Sequence, residues 1–470
     1  MRKLLLIIAI SITPYLLKAQ LDTFDLSSYK LPDIKTHRLD LNFDMDGSNS
    51  KRDSYQRMGT DYYSKSNSIN GNVGANYNFY RNSYKYQGNQ NYLLQFNGKF
   101  RDDKDRNSLL RESNGFQTNY SVNSENRFYL NNKLFFESNL KLYGNYYSAD
   151  NKSESSESDS KNKRINIYVP IGIGIGRVEQ VQDSWLAIYI LDELNKNGKL
   201  TRIPTHTEVI EFSEVISALK KERFFDARLQ KIKEIEKVDS FLQTKGLIDI
   251  PDSRYFTIVN DNWDHAAQVI RNSGTRFSFK IESGFSSYTN LSTYESESYS
   301  YEDKNRNTEY GIRSGLYFVS EKPINIYWQR GFNFNVSGGY LYGAEEDVAN
   351  DSKVELQSPE LISEVNYSLD FYPNTRTSLN FDVGINFLNS FGEEEVDNQT
   401  IDINHFEIVP SSNLSLNYYI SPQLLFNINY RIYYRYMESN SEYYKNMYDD
   451  FLQEEYLNQN INIGFIYKLF

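Results

Sequence analysis

The chain has 470 residues, a formal net charge of −11 and no cysteine. The missing cysteine excludes disulfides and an acylated N-terminal Cys anchor, and without a basic excess there is no electrostatic footprint for nucleic acid. Hydrophobic residues make up 39%, yet 40 are Tyr and 29 Phe among the aromatics; apolar side chains are diluted by Asn, Ser and Tyr, as in a wall greasy on one side and wet on the other.

Residues 1–19 read as a secretory signal. Arg2 and Lys3 form the charged start, Leu4–Leu17 is apolar but broken by Pro14, and Ala19 precedes the expected cut, leaving Gln20 first. The apolar stretch is short for a membrane anchor. Residues 20–36, with Pro32, carry little pattern and are read as a periplasmic lead-in or a segment tucked into the mouth of a barrel. Alternation begins at residue 37, with Leu39, Leu41, Phe43 and Met45 on one face and Arg38, Asp40, Asn42 and Asp44 on the other. A period of two is that of a β-strand, and residues 37–177 hold six such strands. In the sixth, Ile165, Ile167, Val169, Ile171, Ile173 and Ile175 alternate with polar residues, Tyr168, Pro170 and three glycines.

Residues 178–273 change pattern. Asp183 or Ser184 is placed to cap a helix running to Asn195, stopped by Gly198. Thr205-x-x-Glu208 reads as a capping box for a helix with Val209, Phe212, Ile216 and Leu219 on one face. A longer charged helix turns Phe225, Leu229, Ile232, Ile235, Val238 and Leu242 inward, and Pro251-Asp252 opens a last helix with Tyr255, Phe256 and Val259. These stripes predict a small helical bundle.

From 274 to 470 the alternation returns in eight strands. It starts with Phe277, Phe279 and Ile281, and ends with Ile461, Ile463, Phe465, Tyr467 and Leu469 before Phe470. Connections after strands 1, 3, 5, 7, 9, 11 and 13 are expected to be long and polar, such as 101–117 and 148–163. Those after 4, 8, 10 and 12 are tight, holding Pro or Asn, and that after 2 is of medium length. Alternate long and short connections predict an antiparallel barrel of about 14 transmembrane strands, with loops at one end and turns at the other. An even count puts both termini and the helical insert, between strands 6 and 7, at the turn end. A soluble solenoid or sandwich would need no such sidedness.

The signal ending at Ala19-Gln20, the aromatic-rich strands and the terminal Tyr467-Lys468-Leu469-Phe470 carry a resemblance. The chain resembles Gram-negative outer-membrane β-barrels, and more narrowly the Tyr/Asn-rich barrels of the Bacteroidota, over about three quarters of its length. The resemblance implies that Tyr467, Leu469 and Phe470 act as the signal read by the barrel-assembly machinery, although Phe470 breaks the phase of the preceding strand. It also implies contact with outer-membrane lipid and lipopolysaccharide, an insert in the periplasm and acidic loops outside the cell.

No enzyme signature accompanies the fold. His37, His206, His265 and His405 lie far apart with no metal-ligand spacing, and GxSxG, Walker and HExxH motifs are missing. Gly172, Gly174 and Gly176 alternate with Ile and are strand glycines, not a phosphate cradle. No catalytic residue, metal or cofactor is expected. The inner face is polar with charges of both signs, Arg127, Lys141, Lys280, Glu282, Asp382, Arg431 and Arg435. Two functions stand as expectations: a porin-like channel for polar solutes, or a non-conducting scaffold or complex subunit whose insert, 178–270, docks a periplasmic protein.

Overall fold

The computed structural model describes residues 24–54, 62–105, 110–221, 227–265, 270–348, 352–396, 399–421, 423–440 and 453–467. The expected signal, its Ala19-Gln20 cut, and Leu469 and Phe470 lie outside these residues. Fourteen antiparallel strands form one sheet in which each pairs with its neighbours in sequence. They are β1 (Ile34–Ser54), β2 (Tyr62–Ser83), β3 (Tyr86–Asp105), β4 (Leu110–Tyr129), β5 (Leu134–Ser153), β6 (Ser156–Gln180) and β7 (Asn272–Ser296). After them come β8 (Ser300–Pro323), β9 (Trp328–Asp347), β10 (Ser352–Asn374), β11 (Thr377–Val396), β12 (Gln399–Tyr419), β13 (Leu424–Ser439) and β14 (Gln453–Tyr467). This is the wall of a membrane β-barrel, with a helical insert between β6 and β7.

The alternation in sequence becomes two faces in space. Register pairs like with like: Leu369, Phe381 and Leu414 form one cross-strand row, and Asp370, Asn380 and Ser415 the next. The apolar rows stay open to the surroundings, and this outer belt of Leu, Ile, Val, Phe and Tyr runs round every part of the wall. A soluble fold would bury these side chains; a hydrocarbon solvent leaves them where they are.

Two expectations about connections are corrected. The tracts 101–117 and 148–163 are not loops: β3 continues to Asp105, β4 starts at Leu110, and β5 and β6 run to Ser153 and from Ser156. Strands of 15 to 25 residues exceed the ~9–11 needed to cross a bilayer, so the hairpins carry paired polar backbone beyond the apolar belt. The connection after β2 is not of medium length but a two-residue turn, Tyr84-Lys85.

The insert holds four helices, α1 (Gln182–Lys196), α2 (His206–Lys221), α3 (Ala227–Thr244) and α4 (Ser253–Asp264). The α2 capping box forms as read: the Glu208 amide donates to Thr205 Oγ1 at 3.3 Å and the Thr205 amide to Glu208 Oε2 at 2.8 Å. Asp252 caps α4 by accepting from the Tyr255 amide at 2.9 Å. Neither Asp183 nor Ser184 caps α1, whose cap position is Val181 with no side-chain bond; Asp183 instead takes the Lys220 ammonium at 2.8 Å. Ile232 does not turn inward and is exposed; Phe225 lies outside the described residues. Helix α1 is buried nearly all round, from Trp185 to Leu191, which marks it as the bundle's central helix.

The hydrophobic core of the bundle does not stop at the bundle. Leu26, Tyr29 and Leu31 of the lead-in join it, as do Ile326 of the β8–β9 turn and Tyr372 at the end of β10. The lead-in is thus built in, through a 3₁₀ turn at Leu26–Ser28 that Asp25 caps. The sheet curls around this core. Arg177 at the end of β6 donates to the Tyr84 carbonyl at 3.0 Å, whereas a flat sheet would hold β3 and β6 about 14 Å apart. That reach depends on a bend of the β6–β7 ribbon. Gly176 and Gly274 have φ of +96° and +127°, and a Cβ on either would lie 2.1 Å from a carbonyl oxygen of the opposite strand. Only glycine takes such a backbone without strain.

Candidate functional site

The interior of the wall is organised as rungs, each a row of register partners on the inner face. One rung reads Arg127, Glu137, Gly172, Lys280, Gly315 and Ser337 across β4 to β9. Arg127 lies 3.5 Å from Glu137 and 2.9 Å from Glu125. Lys280 reaches the same Glu137 at 3.3 Å although β6 runs between them. The gap is bridged because the β6 residue in that row is Gly172; a Cβ there would meet Lys280 Cγ at 3.0 Å.

The next rung uses the same device. It reads Glu282, Arg313, Gly339, Glu360, Ser390, His405 and Ser439 across β7 to β13. Arg313 bonds Glu360 at 3.0 Å over the intervening β9, where Gly339 leaves the space; a Cβ on Gly339 would lie 2.5 Å from Arg313 Cγ. Side chains two strands apart start about 10 Å from one another, so an acid and a base with a glycine between them is what allows the pair. Buried charges must be paired, and these rungs pair them across the curved wall.

The interior residues predicted from the sequence fall in separate places. Arg127 and Lys280 meet at Glu137. Lys141 and Glu282 line a cavity of about 410 Å³ together with Asn123, Tyr143, Tyr168 and Arg313. Glu282 lies 4.0 Å from Arg313. Asp382 accepts from Asn413 Nδ2 at 3.3 Å, and Arg431 sits 5.6 Å from the Tyr433 ring. Arg435 bridges Glu407 at 2.9 Å and Glu454 at 3.0 Å. The seven are therefore not one site: Arg127, Lys280, Glu282 and Arg435 belong to three ion-pair groups, and Lys141, Asp382 and Arg431 stand outside them. Tyr467 pairs with Leu424 in the terminal strand. His405 is wholly buried beside Ser390 and Ser439, so it offers no surface to a substrate.

Sequence reading missed the residues that close the turn end. Arg271, fully buried, donates to the carbonyls of Ile326, Asn325 and Trp328 at 2.7, 2.9 and 2.9 Å and to Gln329 Oε1 at 3.2 Å. Its guanidinium lies over the rings of Trp185 and Tyr372, and burial pulls its pKa down to about 10, still charged at neutral pH. Trp185 Nε1 donates to the Ile326 carbonyl and Tyr189 OH to the Tyr372 carbonyl, both at 2.7 Å. Thr375 donates to Asn262 at 3.1 Å, Arg376 pairs with Asp261, and His265 packs on Tyr419. The insert is thus latched to the β8–β9, β10–β11 and β12–β13 turns. Arg177, bonded to Asn82, Ser83 and Tyr84, ties its stem to the β2–β3 turn. A long-range latch has no local signature, so the residues around Arg271 in sequence do not mark it.

No protein-family description matches this chain, and no curated protein does. Among solved structures, the translocator domain of the autotransporter NalP from Neisseria meningitidis is similar at 10% identity and a TM-score of 0.29, over 83% of this chain and 90% of that one. At that score nothing about the activity of this chain follows.

Proposed function

We propose that the chain is an outer-membrane β-barrel that is closed at rest, with its helical insert and lead-in forming a periplasmic floor, and that it works as the membrane subunit of an envelope complex. The observation that carries this reading is the shared core: residues of the lead-in, all four helices and three places on the wall, Ile34, Ile326 and Tyr372, exclude water together. A floor built only to hang below a pore would need no such continuity. The ends of the sheet, β1 and β14, meet in this reading, because unpaired backbone in hydrocarbon costs several kcal/mol per group. Exposed Ile203, Ile250 and Phe256 give the insert an apolar surface beyond its contacts with the wall, and a periplasmic protein is the expected partner.

Planar-bilayer recording tests the closed state. The native chain should be silent, and Trp185→Ala, which removes the central latch, should produce openings. A steady conductance from the native chain would favour the second reading, a porin-like passage for polar solutes, whose support is the polar cavity at Lys141, Tyr143 and Tyr168.

A further inference from the structure

Where the β6–β7 ribbon bends at Gly176 and Gly274, a second cavity of about 860 Å³ opens between the wall, the lead-in and the β4–β5 turn. Of its lining, Arg177 and Tyr84 also serve the stem contact and Leu31 the shared core. One part of its lining is the last apolar row of the outer belt, Ile175, Phe277 and Phe318, which are register partners across β6, β7 and β8. Ile175 and Phe277 are exposed. The other part is charged. Lys30 of the lead-in, Lys133 of the turn, Arg177 and Arg276 face Asp33 and Glu179, an excess of two positive charges. Glu179 is held by Arg177 at 2.6 Å. Among the described residues, the Lys133 side chain has no hydrogen bond or ion pair and the Lys30 side chain only a 3.4 Å contact to the Ser27 carbonyl; Arg276, opposite Gly176, lies inward among Arg127, Glu137 and Glu125.

We propose that this cavity holds the headgroup of a glycerophospholipid from the turn-side leaflet. The phosphate would be met by Lys30 and Lys133, and the first acyl segments would lie along Ile175, Phe277 and Phe318. The proposal rests on the membrane reading above. Three features carry it: unpaired cations suit a phosphate, the apolar row is continuous with the lipid-facing belt, and the volume lies within the ~300–1,000 Å³ of small-molecule sites. Occupancy would tie the lead-in, the β4–β5 turn and the ribbon together at the rim. The lipid then becomes part of the floor's seam.

The test uses the full chain in nanodiscs of phosphatidylethanolamine and phosphatidylcholine carrying a trace of phosphatidylethanolamine with a photoactivatable acyl chain. Crosslinks should concentrate on 274–277 and neighbouring lining residues, and native mass spectrometry after detergent extraction should retain one phospholipid per chain. Lys30→Glu with Lys133→Glu, both exposed side chains, should lower that retention about tenfold through lost surface attraction. Heat-modifiable gel mobility confirms that the variant is folded. Glycerol phosphate, added as a soluble headgroup, should compete only weakly. Retention unchanged in the double variant, crosslinks spread evenly round the belt, or full competition by glycerol phosphate would each overturn the lipid site. A chain that fails to enter nanodiscs at all would instead overturn the membrane reading.

Discussion

Arg271→Met tests whether the floor is latched to the wall by one buried cation. The substitution keeps an unbranched side chain between the Trp185 and Tyr372 rings but removes every donor. Four hydrogen bonds are lost; the Ile326 carbonyl keeps Trp185 Nε1 and the Trp328 carbonyl keeps the Ile324 amide, while the Asn325 carbonyl loses the Arg271 donor. Hydrogen bonds to a charged group contribute about 1.5–3 kcal/mol each, and part of that is offset by no longer burying the cation, so the net loss is about 3–5 kcal/mol. At the lower figure, the undocked fraction of the floor rises about 150-fold. The chain has three tryptophans, and Trp185, Trp263 and Trp328 all lie in the floor or the turn it grips. Intrinsic fluorescence against urea therefore reports the floor, while heat-modifiable gel mobility reports the wall. The fluorescence transition should move to lower urea with the gel behaviour unchanged, and Arg271→Lys should fall between, since an ammonium lacks the fork that reaches three carbonyls. If neither signal moves, Arg271 is no latch. If both move together, floor and wall are one cooperative unit and the reasoning about a separable floor fails.

What could be read in the sequence was whatever repeats locally. Each strand announced itself through residues such as Phe279, Ile281, Leu379 and Phe381, because lipid on one side and polar groups on the other force a period of two. The insert's boundaries and the Thr205–Glu208 and Asp252 caps were legible for the same reason: each is settled within four residues. The strand ends were not. Beyond the apolar belt both faces meet water, so 148–153 and 156–163 lose their alternation while their backbones remain paired. The rungs were half legible. Gly172 could be assigned to the inner face by parity, but its use, making room for Lys280 to reach Glu137, depends on register between three strands. A glycine predicted opposite an acid on one side and a base on the other is the signal that would have found it, and Gly339 between Arg313 and Glu360 fits the same rule. The docking of Arg271, Tyr189 and Trp185 spans 55 to 183 residues of chain and left no local trace.

Three more predictions rest on particular contacts. Gly339→Val should part Arg313 from Glu360 and destabilise the wall by about 3–5 kcal/mol, the cost of breaking a buried pair; the same change in a Glu360→Gln background should cost clearly less, and strict additivity would show that the glycine serves some other purpose. His265 is buried against Tyr419 beside Asp264 and Lys231, and burial holds its pKa below the ordinary value. The undocked form therefore takes up a proton first as pH falls below ~6.5, so the floor's fluorescence midpoint should drop between pH 7.5 and 5.5, and His265→Gln should flatten that slope. The last prediction separates the two faces of one strand. Phe381 stands in the apolar row with Leu369 and Leu414, while its neighbour Asn380 donates to Asp370 at 2.8 Å on the inner face. Phe381→Arg puts a charge into hydrocarbon at about 2–4 kcal/mol near the midplane. Asn380→Arg sets a cation beside Asp370, where an ion pair replaces the lost hydrogen bond, so it should be nearly neutral. Folding free energy in lipid vesicles distinguishes them. Because a paired strand offers no edge at which to relax, the difference should appear in full; equal destabilisation would mean that alternation does not divide lipid from interior, and the membrane reading would go with it.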